Sequence, residues 1–190
     1  MKKILLIMLL LICVSACEKK QDESIVPEYP YEIVSEHVDM SSYEGISSTG
    51  HNFRLISPQE LINVIDNKSS GVFYFGTRSC GCCQRVVRYL NDVALELDVT
   101  VYYIDAYSEK YPILDTEYAE KLRAYMDEIL GTDEEGKKTF LTPQVFSVVN
   151  GKYYGSQICM DGYTLDVVPT EQQLEKFKDS YRNIMKPFTK

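Results

Sequence analysis

An uninterrupted apolar run, Gly71-Val72-Phe73-Tyr74-Phe75-Gly76, is followed shortly by Cys80-Gly81-Cys82-Cys83 and then by an amphipathic pattern. A short run without polar alternation suits a strand covered on both faces, which places it in the middle of a sheet. Beyond the cysteines, Val86, Leu90, Val93 and Leu97 recur at helical spacing, and Val87 and Ala94 widen the stripe. Val99 to Ile104 is again rich in β-branched and aromatic residues and ends at Asp105. Strand, helix and strand in that order make a βαβ unit, with parallel strands and a right-handed crossover. The class is therefore α/β, and Cys80 and Cys83 stand at a strand-to-helix junction. The first turn of a helix has N–H groups without intrahelical partners and the positive end of the macrodipole. Both favour a thiolate, the attacking species in disulfide chemistry.

The flanking sequence supplies the remaining elements. Phe53-Arg54-Leu55-Ile56 reads as a strand. Ser57-Pro58-Gln59-Glu60 reads as a helix start, with Ser57 as N-cap, Pro58 in the first turn and Glu60 placed for a capping box. Leu61, Ile62, Val64 and Ile65 form that helix's buried face. A further helix is expected from Thr116 to Leu130, with Tyr118, Leu122, Tyr125, Met126 and Ile129 on its apolar side and Gly131 as its stop. Asp133 to Lys138 reads as a charged loop. Phe140-Leu141-Thr142-Pro143 leads into the strand Gln144 to Val149, and Asn150-Gly151 predicts a type I′ turn that returns Lys152-Tyr153-Tyr154 antiparallel. Thr170 caps a last helix, with Gln173 as its box partner and Leu174, Phe177, Tyr181 and Ile184 as its stripe. The order is β-α-β-α-β-α-β-β-α.

The amino terminus bears on location. Met1-Lys2-Lys3 is basic, and Ile4 to Val14 is apolar but too short to span a bilayer as a mature helix. This is the pattern of a secretory signal. It ends in Val14-Ser15-Ala16-Cys17, which resembles a bacterial lipobox, with cleavage before the cysteine and lipid attached to it. An ordinary cleaved signal with an incidental cysteine is the alternative. The expected division is a lipoprotein signal over residues 1–16, a tether or linker over 17–50 and one domain over 51–190. Within the linker, Tyr29, Tyr31, Ile33 and Val34 offer points of docking. Cleavage removes Cys13 and leaves Cys17, Cys80, Cys82, Cys83 and Cys159. It also removes Lys2 and Lys3, taking the formal net charge from −8 to −10. A chain this acidic, with no basic cluster, is poorly suited to nucleic acid.

At this point the sequence resembles the thioredoxin-like family. The residues that carry the likeness are Phe73 to Cys83, then Thr142-Pro143 heading an antiparallel strand, then the Asn150-Gly151 hairpin. It covers roughly Arg54 to Lys186 and is nearest to the bacteriocin-accessory and transport-accessory branch, which has a similar long segment before the proline. The resemblance implies a mixed sheet flanked by helices, with the C-x-x-C opening the helix after the central strand. It implies Cys80 as exposed nucleophile, Cys83 as resolving thiol, and Pro143 as a cis-proline which, with Thr142, presents backbone to an extended substrate. An X-Pro bond costs only about 0.5–1 kcal/mol in cis, so tertiary contacts can hold it. No cofactor is implied. The implied partners are cysteine-containing secreted proteins or peptides, the membrane through a lipid anchor, and a membrane electron donor or acceptor.

The chain also departs from that family. Cys82 replaces the proline usual before the second motif cysteine, Ser79 replaces an aromatic, and Tyr74 falls where thioredoxin has a buried carboxylate. Tyr74 cannot act as that base. Cys82 has two readings: a third redox thiol exchanging with Cys80 or Cys83, or a small buried residue about 200° around the helix from Cys80. Cys159, in the loop-like stretch Gly155 to Met160, is expected to be buried, the alternative being an approach to the motif. Arg78 and Arg85 bracket the motif as thiolate stabilisers or as surface charge. Asp105 reads as a turn cap, and Tyr102, Tyr103, Tyr107 and Tyr111 as packing and rim residues. Two rivals to a membrane-anchored, extracytoplasmic thiol-disulfide oxidoreductase remain. One is a non-catalytic binding module. The other is a copper or zinc protein using Cys80, Cys82 and Cys83, although His37 and His51 are not spaced as a second ligand pair.

Overall fold

The computed structural model describes residues 29–110, 117–133, 135–160 and 167–190. The expected signal segment, Cys17, Tyr111 and Thr116 lie outside the described residues. Eight strands and four α-helices are present among those described: β1 (Ile33–Ser35), β2 (Phe53–Ile56), α1 (Pro58–Asp66), β3 (Gly71–Gly76), α2 (Gly81–Glu96), β4 (Val101–Asp105), α3 (Glu117–Tyr125), β5 (Gly131–Thr132), β6 (Lys138–Thr139), β7 (Gln144–Val149), β8 (Lys152–Gln157) and α4 (Glu171–Met185). Six strands form one mixed sheet in the order β1-β2-β4-β3-β7-β8. β3 is parallel to β4 and antiparallel to β7, and β2 is parallel to β4. The apolar run is therefore central, as its lack of alternation implied, and all six of its residues are buried.

Alternation along the inner strands divides the core between the two faces. Phe53, Val72, Tyr74, Val101, Tyr103 and Val145 pack with Val86, Leu90 and Val93 of α2 and Phe177, Tyr181 and Ile184 of α4. Ile56, Phe73, Phe75, Tyr102, Ile104 and Phe146 pack with Leu61 and Val64 of α1, Leu122 of α3 and Met126 just after it. The predicted caps hold at two helices. Ser57 accepts the Glu60 N–H, and Thr170 and Gln173 form the reciprocal box that starts α4. Asn150 and Gly151 both have positive φ, 53° and 75°, the hairpin geometry expected of that pair.

Four expectations need correction. Residues well before 51 already belong to the packed body. β1 pairs antiparallel with β2, the Tyr31 ring stacks on Tyr102 at 4.1 Å, and Val38, Met40, Tyr43 and Ile46 are buried in the α2 face. Glu60 does not close a capping box. Its carboxylate instead accepts the Glu32 N–H at 2.8 Å and the Asn63 side-chain amide at 3.0 Å, because the segment before β1 brings a backbone donor within its reach. The helix expected to reach Leu130 ends at Tyr125, followed by a 3-10 turn over Asp127–Ile129. Tyr125 is exposed, with its hydroxyl on Asp66, and Gly131 begins β5 against Leu141, where a Cβ would lie 2.3 Å from that side chain. The charged residues after it turn a small hairpin between β5 and β6. Finally, β8 runs on to Gln157, so Gly155 to Gln157 are strand and not loop.

Candidate functional site

Cys80 is the N-cap of α2. Its φ and ψ, −83° and 115°, are extended, and its Sγ accepts the Cys83 N–H at 3.3 Å. This is the contact a Ser or Asp cap makes with the orphan donors of a first turn, made here by sulfur. A negative sulfur takes that hydrogen bond better than a neutral one. The Cys80 thiol is accordingly held down to about 6, chiefly by its hydrogen bond with Cys83, against the opposing effect of partial burial and with help from backbone N–H groups and Thr142. Cys83, one turn on, is fully buried. Its hydrogen bond with Cys80, followed by burial, pushes its thiol far above the ordinary range. Both cysteines are free thiols. The pair is thus asymmetric, with one sulfur ionised and reachable and the other protonated and enclosed.

The loop leading into β7 faces this pair. The Thr142–Pro143 peptide bond is cis, and the Cys80 thiol lies 3.5 Å from the Thr142 carbonyl oxygen, which accepts from it when the thiol is protonated. These four residues, expected from separate stretches of sequence, are brought together at the carboxyl end of β3 and the amino end of β7.

Cys82 behaves otherwise. Its sulfur is bonded to Cys159, across a sequence separation of 77 and a Cα–Cα distance of 6.4 Å. The helical spacing does direct it away from Cys80. The bond was in neither of its two readings, and Cys159 is partly exposed, approaching the motif helix instead of being buried. The bond also removes Cys82 from any three-thiolate set in this state, and no group of three or more His, Cys, Asp or Glu among the described residues is placed to hold a metal. Arg78 is exposed, 3.5 Å from the Asp39 carbonyl, and is not among the main causes of the Cys80 shift. Asp105 accepts the Tyr107 N–H at 3.1 Å, the turn cap expected of it. Tyr102 and Tyr103 are core residues, whereas Tyr107 is 64% exposed.

Sequence reasoning passed over Tyr43. The residue lies in the segment read as linker, yet it is buried behind the motif, its hydroxyl 3.2 Å from that of Tyr103. An aromatic among scattered apolar residues was the only available signal.

No family model and no curated protein matches the chain. Solved structures similar to it include oxidised thioredoxin O2 from Arabidopsis thaliana, 16% identical over 74% of this chain and 96% of that one with a TM-score of 0.39. Thioredoxin from Trypanosoma brucei brucei is 16% identical over 70% and 89%, TM-score 0.41. The N21Q mutant thioredoxin from Halobacterium salinarum is 17% identical over 74% and 96%, TM-score 0.40. What the strand order and the placing of the cysteine pair define, whatever the likeness in sequence, is a thioredoxin-like fold.

Proposed function

We propose that this protein is a membrane-anchored, extracytoplasmic thiol-disulfide oxidoreductase of a bacterium, acting on cysteines of secreted proteins or peptides. The observation that carries the proposal is the asymmetry of the pair: Cys80 half-buried with its thiol held down to about 6, and Cys83 sealed one turn behind it. Exchange begins when the Cys80 thiolate attacks one sulfur of a substrate disulfide. The substrate S–S bond breaks, its second sulfur leaves with the electron pair and takes up a proton, and a Cys80–substrate disulfide remains. Cys83 then attacks Cys80, releasing the first substrate sulfur as a thiol. The substrate has gained two electrons, and the protein holds Cys80–Cys83 as a disulfide. The same steps in reverse oxidise a substrate dithiol. Thr142 and cis-Pro143 would lie alongside the extended substrate backbone.

Two features favour a location outside the cytoplasm. The Cys82–Cys159 bond is of a kind that persists in oxidising compartments. The amino-terminal pattern ending in Ala16-Cys17 supplies a route to the membrane through lipid on Cys17. The test uses the full-length gene expressed in a bacterial host. Wild-type protein should reduce insulin disulfides with a dithiol donor, Cys80→Ser should abolish this, and Cys83→Ser should accumulate mixed disulfides with substrate. Equal rates for wild type and Cys80→Ser would leave only a binding module. Labelled palmitate should enter the wild type and be lost in Cys17→Ser, together with membrane association.

A further inference from the structure

Four tyrosines share the core cluster of Cys83, and one of them has a buried hydroxyl that makes no hydrogen bond of good geometry. Tyr43 from the segment after β1, Tyr74 from β3, Tyr103 from β4 and Tyr181 from α4 pack in the same core cluster as Cys83. The Tyr43 and Tyr103 hydroxyls pair with each other at 3.2 Å, and Tyr103 also reaches the Gly76 carbonyl at 3.5 Å. The Tyr74 hydroxyl is fully buried and close enough to the Cys83 sulfur and the Tyr43 hydroxyl to shift both, but it makes no hydrogen bond of good geometry with either. It is held there tightly. A Cβ on Gly76 would lie 2.2 Å from both Cζ and Oη of Tyr74, so only glycine lets the phenol occupy this place.

An unsatisfied buried hydroxyl is costly, and a phenylalanine would avoid the cost without changing the packing. The poorly satisfied hydroxyl becomes intelligible if a full hydrogen bond to the neighbouring sulfur forms in another state of the molecule. We propose that the Tyr74 hydroxyl is the hydrogen-bond donor that stabilises the Cys83 thiolate while that sulfur attacks the Cys80–substrate disulfide. This rests on the disulfide-exchange reading above.

The charge balance of the two states supports it. In the free dithiol, Cys83 keeps its proton chiefly because of its hydrogen bond with the Cys80 sulfur, and also because of burial and the nearby Cys80 charge. Once Cys80 is bonded to substrate it carries no charge and no longer needs that proton. Burial remains as the opposing effect, and a donor aimed at the sulfur offsets it. The other groups on Cys83 are the Thr77 backbone and the phenols of Tyr43 and Tyr181. Burial pushes the Tyr74 phenol well above its ordinary range, so it remains protonated and donates. It is not a base. The proton lost by Cys83 ends on the departing substrate thiolate. The Cys83 electron pair forms the Cys80–Cys83 bond, and the Cys80–substrate bond breaks.

The test is Tyr74→Phe in the reduced full-length protein, mixed with 5,5′-dithiobis(2-nitrobenzoate). This reagent releases one coloured thiolate when Cys80 attacks and a second when Cys83 resolves. The first release should be unchanged. The second should slow by about ten- to a hundredfold, the effect of one hydrogen bond to a charged group, and its pH midpoint should move to higher pH. Thermal stability should be unchanged or higher. Tyr103→Phe is the control: its hydroxyl is paired, so the change should lower stability and leave the second release alone. An unchanged second release and pH profile in Tyr74→Phe would overturn the proposal, as would equal slowing in Tyr103→Phe. Absence of the first release in wild type would instead overturn the disulfide-exchange reading, and this one with it.

Discussion

Cys80 and Cys83 are free and stacked one turn apart at the head of α2, whereas Cys82, between them in sequence, is bonded to Cys159 beyond β8. The difference is angular. Residues three apart share a helix face, and residues two apart are about 200° apart around the axis. Cys80 thus meets the Thr142 carbonyl at the mouth of the site with Cys83 buried behind it, and Cys82 looks away from both. The free pair draws its chemistry from local helix geometry. The bonded pair ties that helix to a distant part of the chain. Adjacency in sequence says little about shared chemistry when the backbone is a helix.

That contrast can be attacked at several points. The largest expected effect is in reactivity. At neutral pH and with the motif reduced, iodoacetamide should modify Cys80 at least about a hundredfold faster than Cys83, since rate follows thiolate fraction and access. Peptide mapping of the alkylated protein reads this directly, and comparable labelling of the two would erase the asymmetry. Next comes stability. Replacing both Cys82 and Cys159 by serine should cost about 2–4 kcal/mol in denaturant unfolding, the usual worth of a long-loop disulfide, with the Cys80 exchange rate little changed. A collapse of exchange without loss of stability would move the second pair into the redox chemistry.

A further effect is the pH dependence of the reduced protein. Cys80 is shifted down to about 6, so the stability it contributes is present above the ordinary thiol range and is lost as pH falls through about 6. Cys83 is shifted up, so its contribution is present below the ordinary thiol range and is lost as pH rises beyond it. Reduced protein should therefore gain stability from pH 6 towards about 9 and lose it above that. Protein with a Cys80–Cys83 disulfide should show neither limb, because those sulfurs no longer titrate. Identical pH profiles for the two redox forms would show that the two thiols do not ionise differently in the fold.

Much of the architecture was legible in short stretches. β3 announced its central position by lacking polar alternation, α2 by its stripe, the β7–β8 turn by Asn150-Gly151 and α4 by Thr170 and Gln173. Each is a local signal, in which residues within one turn or one strand satisfy one another. The segment before β2 was not legible in this way. Val38, Met40, Tyr43 and Ile46 follow neither a two-residue nor a helical period, and their burial depends on the α2 face they cover. Glu60 was misread for a related reason: Ser57 is its neighbour in sequence, but Glu32 is the donor that reaches it in space.

By itself the sequence determined the class of the fold, the central strand and the place of a reactive thiol at a helix start. These follow from side-chain periodicity and from backbone groups that every helix leaves unpaired. Tertiary structure alone decided that Cys82 joins Cys159, that residues before 51 belong to the packed body, and that a buried hydroxyl without a well-formed hydrogen bond stands near Cys83. Those outcomes depend on which distant surfaces meet, and contacts over such separations leave no period in the chain from which to read them.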